Sequence, residues 1–243
     1  MKVWLSFVCI ISLFFSCKKA ENQTTKTDTT KTIVKTDTVA TVINDYLALG
    51  DSYTIGQSVQ TDDSYPVQLA SSLTFNGYPI SSPTIIATTG WTTDNLIYAI
   101  ANSGITKNKY QFVTLLIGVN DQYQGLSQAH YRTNFVQLLH TAINFAEGDS
   151  TRVFVLSIPD YGVTPFAMGR DSIIGPQIDA FNAINKQESI NAGVNYLDIT
   201  AISREAAADT SLIAPDGLHP SAKMYQLWVA QLEPMVLKRL KQK

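Results

Sequence analysis

Ser52, Asp216 and His219 are the residues of this chain whose types and setting could do covalent chemistry. Ser52 closes the run Gly50-Asp51-Ser52, directly after the apolar stretch Tyr46-Leu47-Ala48-Leu49. A serine hydroxyl is a weak nucleophile at neutral pH and needs a general base within hydrogen-bond reach. His219 suits that task, because an imidazole titrating at its ordinary value of about 6.5 can take a proton and later return it. Asp216, in the same short Asp-x-x-His loop, can accept from the other ring nitrogen, fix the tautomer and stabilise the imidazolium. Taken singly, each residue is commonplace. Ser52 could cap a helix, Asp216 after Pro215 fits turn chemistry, and a histidine before Pro220 is usually a surface residue. His130 and His140 share one helical pattern without a paired carboxylate motif and read as structural or solvated.

The elements that must position these residues follow from the apolar runs. Asp45–Leu49, Thr84–Thr88, Phe112–Ile117, Arg152–Ile158 and Val194–Ile199 read as strands, continuously apolar as strands buried on both faces should be. Helical patterns lie near Tyr65–Asn76, Thr93–Ser103, Ser127–Glu147 and Pro176–Asn191. A last helix is expected from Ala222 to Lys241, its apolar stripe weakening through Leu227, Ala230, Gln231 and Pro234, with Pro234 kinking or ending it. The basic residues Lys238, Arg239, Lys241 and Lys243 complement the negative end of that helix. Strand–helix–strand repetition predicts an α/β fold with a five-stranded parallel sheet in the flavodoxin-like order 2-1-3-4-5. Gly50-Asp51-Ser52, Thr89-Gly90-Trp91 and Gly118-Val119-Asn120-Asp121 each follow a strand, so a parallel sheet brings them to one rim with the Asp216–His219 loop.

These blocks in this order resemble the SGNH (GDSL-type) serine hydrolases, named for the Ser, Gly, Asn and His of the four islands. The resemblance covers the chain from about Asp45 onward, with Tyr53 in the usual leucine place. It implies a three-layer α/β/α sandwich and a serine esterase working through an acyl-enzyme, with Ser52, Asp216 and His219 as the triad. It also implies an oxyanion hole from the backbone N–H groups of Ser52 and Gly90 and the amide of Asn120. Glycine at 90 fits that role because no side chain then blocks substrate from the backbone amide. Asp51 and Asp121 stand where the pattern expects residues that brace loops through backbone N–H groups. No Gly-x-Ser-x-Gly elbow is present. No metal-ligand spacing is apparent and no cofactor is expected. Trp91, Tyr53, Tyr123, Tyr161 and Phe166 fall on the same rim and are candidates to line the substrate pocket.

The two ends of the chain bear on location and partners. Met1-Lys2 followed by the apolar run Val3–Phe15 matches a secretory signal and is too short to span a bilayer. Ser16-Cys17 at its end resembles the lipobox of bacterial lipoproteins, implying cleavage before Cys17, lipidation of Cys17 and attachment at the cell envelope. Cys9 and Cys17 are the only cysteines, so the folded part holds no disulfide. Residues 18–44 are Thr/Lys-rich and of low complexity, composed as a flexible tether. The rest, 45–243, has the size of one domain. A net charge of −2 offers no basic field for nucleic acid. The expected partners are a small-molecule or glycan ester and, through the anchor, a membrane; the protein is expected to be a monomer. Small-acyl esters of carbohydrate or cell-envelope material head the substrate readings. A lysophospholipase or thioesterase, a non-catalytic glycan-binding lipoprotein, and a glycosidase using Asp51 and Asp216 are the alternatives.

Overall fold

The computed structural model describes residues 45–242. The expected signal, the proposed lipidation at Cys17 and the expected tether lie outside the described residues. Five parallel strands alternate with helices: β1 (Tyr46–Gly50), α1 (Ser52–Ile55), α2 (Tyr65–Phe75), β2 (Thr84–Ala87), α3 (Thr93–Asn102) and β3 (Phe112–Leu116) form the first half. The second half runs α4 (Val119–Tyr123), α5 (Gln128–Phe145), β4 (Val153–Leu156), α6 (Asp171–Ala192), β5 (Asn195–Leu197), α7 (Thr200–Arg204) and α8 (Ala222–Leu240). The sheet order is β2-β1-β3-β4-β5, as expected. β1 lies between β2 and β3, so the chain leaves it first to one side and later returns to the other. That reversal opens a crevice at the carboxyl ends of β1 and β3.

Helices flank the sheet. α2 packs on α8, while α3, α5 and α6 form a second contiguous group, with α5 against β3. β1, β3 and β4 are buried throughout, whereas β2 and β5 are half-exposed. The expectation of five doubly covered strands is therefore corrected at the two edges, where each strand has only one neighbour.

Two helix readings are also corrected. α8 runs without interruption through Pro234, whose ring faces solvent. The carbonyl freed by the missing proline N–H belongs to exposed Ala230, which water can satisfy. Leu227, Ala230, Gln231 and Pro234 are the outward face, not a fading inner stripe. The inward face is Tyr225, Trp228, Leu232, Val236 and Leu240, at most 5% exposed, and burying five large side chains outweighs one lost hydrogen bond. α6 starts at Asp171, ahead of the expected Pro176, which the helix carries on its exposed side because Ile174, Ile178 and Phe181 behind it are buried.

Candidate active site

The sheet register sets the rim level. Gly50 pairs with Ala87 on one side and Leu116 on the other, so β1, β2 and β3 end together. The chain then turns at each end, presenting Ser52, Gly90 and Asn120 on one edge. Asp51 is the N-cap of α1, its Oδ1 accepting from Tyr53 N at 3.0 Å. Ser52 is thus not the cap but the first helical residue, a position whose backbone N–H has no intrahelical partner. Gly90 adopts φ 81°, a left-handed conformation that favours glycine, and a Cβ there would meet nothing within 4 Å. The need for glycine at this position is conformational, and the space over its backbone is open.

Asp216 and His219 come from the turn before α8, which hangs on the short antiparallel bridge Ile213↔Pro220 and the bond from Ala214 N to His219 O at 2.8 Å. His219 Nδ1 lies 2.6 Å from Asp216 Oδ2. Asp216 Oδ1 accepts from the backbone N–H groups of Leu218 at 2.9 Å and His219 at 3.0 Å. The Ser58 hydroxyl donates to Oδ2 at 2.6 Å. Partial burial alone would raise the Asp216 carboxyl, but these hydrogen bonds together hold it well below the usual carboxylate range. His219 is 7% exposed, and the Tyr53 ring meets its imidazole edge-on, with centroids 5.6 Å apart.

Ser52, Gly90, Asn120 and His219 line one cavity of about 160 Å³. Ser52 Oγ and the imidazole face the same space, with no direct hydrogen bond between them. The Asn120 amide donates one hydrogen bond to Trp91 O at 3.0 Å, which orients it; an amide nitrogen carries a second donor. Of the aromatic candidates, Tyr53, Tyr123, Tyr161 and Phe166 line the cavity, joined by Thr89, Val119 and Leu218. Trp91 does not. It packs against the core and contributes only its carbonyl, so the expectation of a substrate-facing indole is corrected. Tyr123, Tyr161 and Phe166 form a triangle with centroids 6.2 to 6.3 Å apart. A second space of about 540 Å³ shares Tyr123 and Tyr161 with the first and adds Gln122, Ser127, Arg170 and Gln177.

Buried acids hold the loops. Asp121 accepts from Thr93 N at 2.9 Å and Thr93 Oγ1 at 2.6 Å, joining the loop after β3 to the start of α3. Burial pushes its carboxyl upward, with those bonds opposing. Burial raises Asp51 further, to about 8, reinforced by the nearby Asp121. Asp160 was not evident as a site residue in the sequence. Its Oδ1 accepts from Gly162 N at 2.8 Å and its Oδ2 from Arg204 Nε at 2.9 Å, fixing the turn that carries Tyr161. His140 is exposed. His130, read as structural or solvated, meets Asp94 at 2.7 Å and ties α5 to α3, a partner no local sequence motif announces. Among the described residues, no group of three or more His, Cys, Asp or Glu is placed to hold a metal ion.

The model for the GDSL-like lipase/acylhydrolase family matches residues 48–227. A search of curated proteins finds no match. Similar solved structures include TesA, with a TM-score of 0.64 and 16% identity over 81% of this chain and 99% of that one. The esterase EstA from Pseudoalteromonas sp. has a TM-score of 0.62 and 18% identity over 82% and 99% of the two chains. Axe2, an acetylxylan esterase from Geobacillus stearothermophilus, has a TM-score of 0.63 and 16% identity over 79% and 94%. At such identities the likeness is one of fold.

Proposed function

The chain belongs to the GDSL-like lipase/acylhydrolase family and is a carboxylic-ester hydrolase; from that premise we propose that Ser52, His219 and Asp216 form its triad and that its substrates are small-acyl esters. The observation that carries the reading is the meeting of Ser52, Gly90, Asn120 and His219 in one cavity, with His219 Nδ1 held by Asp216 at 2.6 Å. Ser52 Oγ attacks the ester carbonyl while its proton passes to His219 Nε2. Negative charge gathers on the former carbonyl oxygen, facing the N–H groups of Ser52 and Gly90 and the free donor of Asn120. Collapse breaks the bond to the alcohol, which leaves with the proton from His219. Water, deprotonated by the same imidazole, then attacks the acyl-serine and restores the free hydroxyl.

Replacing Asn120 by alanine is expected to lower kcat by about two to three powers of ten with a smaller change in KM, because the donor acts mainly in the transition state. Steady-state kinetics of Asn120→Ala check this; an effect confined to KM would make Asn120 a ground-state binding residue.

Cavity size supports a short acyl group. A closed apolar cavity of about 150 Å³ takes a benzene ring, and the space beside Ser52 is of that order and open on one side. Amide, hydroxyl and guanidinium groups in the adjoining space suit a hydroxyl-rich alcohol, as in a carbohydrate or cell-envelope ester. The acetylxylan esterase among the structural neighbours is in keeping with that choice. Leu126, Ile174 and Phe181 line the same adjoining space and favour, as a second reading, a lysophospholipase- or thioesterase-type acyl hydrolase. A series of esters differing only in acyl length separates the two. Acetyl and butyryl esters are expected to exceed octanoyl in kcat/KM by about tenfold or more. A rise with chain length would give the site to long acyl groups.

A further inference from the structure

The turn after α1 reaches two other loops of the candidate site at once. Gly56 ends α1 at φ 76°, and a Cβ there would lie 2.6 Å from Ser64 Cβ, so the chain can turn so tightly only with glycine. Two residues later Ser58 also takes a left-handed conformation, at φ 68°. Few non-glycine residues do so, and those that persist are held by their surroundings and gather at functional sites. What holds Ser58 is Asp216, 158 positions away in sequence, whose Oδ2 accepts the Ser58 hydroxyl at 2.6 Å. The preceding residue makes the companion contact, Gln57 Oε1 accepting from Thr89 Oγ1 at 2.6 Å beside Gly90. Adjacent side chains thus clasp the loops of both the acid–base pair and the candidate oxyanion donor.

We propose that Ser58 is a positioning residue for acyl transfer: its hydroxyl fixes Asp216 Oδ2 against His219 and limits the charge that oxygen offers the imidazolium. The proposal rests on the triad reading above. Asp216 Oδ1 is committed to the backbone N–H groups of Leu218 and His219, so Oδ2 alone faces the ring, and Ser58 is its other donor. Sharing has two consequences. It ties the carboxylate to the turn that follows the helix carrying Ser52. It also divides the electron density of Oδ2 between a hydroxyl and the imidazole. Without the hydroxyl, Oδ2 interacts more strongly with the protonated ring, the ring keeps its proton to higher pH, and the acid limb of kcat/KM moves upward. The other ionisable groups around the imidazole are the phenols of Tyr53 and Tyr161 and the carboxyl of Asp160, paired with Arg204. None is altered by a change at 58.

Glycine at 58 separates this role from a structural one, since it accepts φ 68° without strain while removing the hydroxyl. Ser58→Gly is expected to melt no lower than the wild type, to lose about tenfold in kcat/KM, and to show an acid limb displaced toward higher pH. A loss of that size is the scale of one hydrogen bond to a charged group. Ser58→Ala should show the same catalytic change with lower thermal stability. An acid limb that stays in place in both variants, or an activity loss that only follows a loss of stability, overturns the proposal. His219→Ala, measured alongside, tests the underlying reading. If that variant keeps normal turnover, the triad assignment fails and the Ser58 role with it. If it is inactive while Ser58→Gly matches the wild type, only the positioning role is lost.

Discussion

Ser52→Ala is expected to lose about four to six powers of ten in kcat on a small chromogenic ester, with the thermal midpoint little changed. The side chain is 4% exposed and faces the cavity from the first turn of α1, so removing one oxygen leaves no large void. The helix keeps its cap because Asp51, not Ser52, supplies it. A second loss should add almost nothing. Ser52→Ala combined with His219→Ala is expected to be no slower than either change alone, because nucleophile and base act in one step. Active-site titration with an acylating reagent gives an independent count of reactive serines. Near-normal turnover in the purified alanine variant would remove Ser52 from the chemistry and revive the reading of a glycan-binding protein on a hydrolase fold.

Asp216→Asn is expected to cost about four powers of ten in kcat while leaving the fold in place. The reason lies in how the two oxygens are used. Oδ1 accepts from two backbone N–H groups, so in the amide that position must remain the carbonyl oxygen. The new NH₂ is then forced to the Oδ2 side, where His219 Nδ1 lies. There it donates to Nδ1, the ring carries its proton on Nε2, and Nε2 can no longer accept the proton of Ser52. Rate measurements across pH, with circular dichroism as the control for folding, check the expectation. A variant retaining a tenth or more of wild-type kcat would show that Asp216 does not set the tautomer.

Much of this arrangement was legible in the chain itself, for physical reasons. β1, β3 and β4 are buried on both faces and almost wholly apolar, so their places and the loops after them could be read directly, although β4 is only Val153–Leu156 within the expected 152–158. The Asp216–His219 pair is local, four residues within one turn. The misreadings share a different cause. Trp91 follows Gly90, whose φ of 81° carries no periodic signal in the sequence, and it packs against the core outside the cavity. Pro234 was judged by its own propensity, while the outcome depended on which side of α8 faced water. Ser58, Asp160 and the His130–Asp94 pair all act through partners more than thirty positions distant, which side-chain type alone cannot announce. Sequence locates the residues whose context is the next few neighbours. Tertiary structure supplies those whose context is another loop.

The register that brings β1, β2 and β3 to a common end divides the catalytic apparatus into two parts of unequal durability. Ser52, Gly90 and Asn120 are continuations of sheet strands, and displacing them requires breaking the ladder between Gly50, Ala87 and Leu116. Asp216 and His219 sit on a turn outside the sheet, held by one bridge, a few loop bonds and the Ser58 hydroxyl. Loops open locally at a smaller free energy than core strands do. The acid–base turn is therefore expected to open before the oxyanion half and the sheet, and to break its bond to Ser58 when it does. Activity lost on mild warming is then a measure of how long that turn stays docked, and recovers on cooling at the rate of a loop closing, not of a protein refolding.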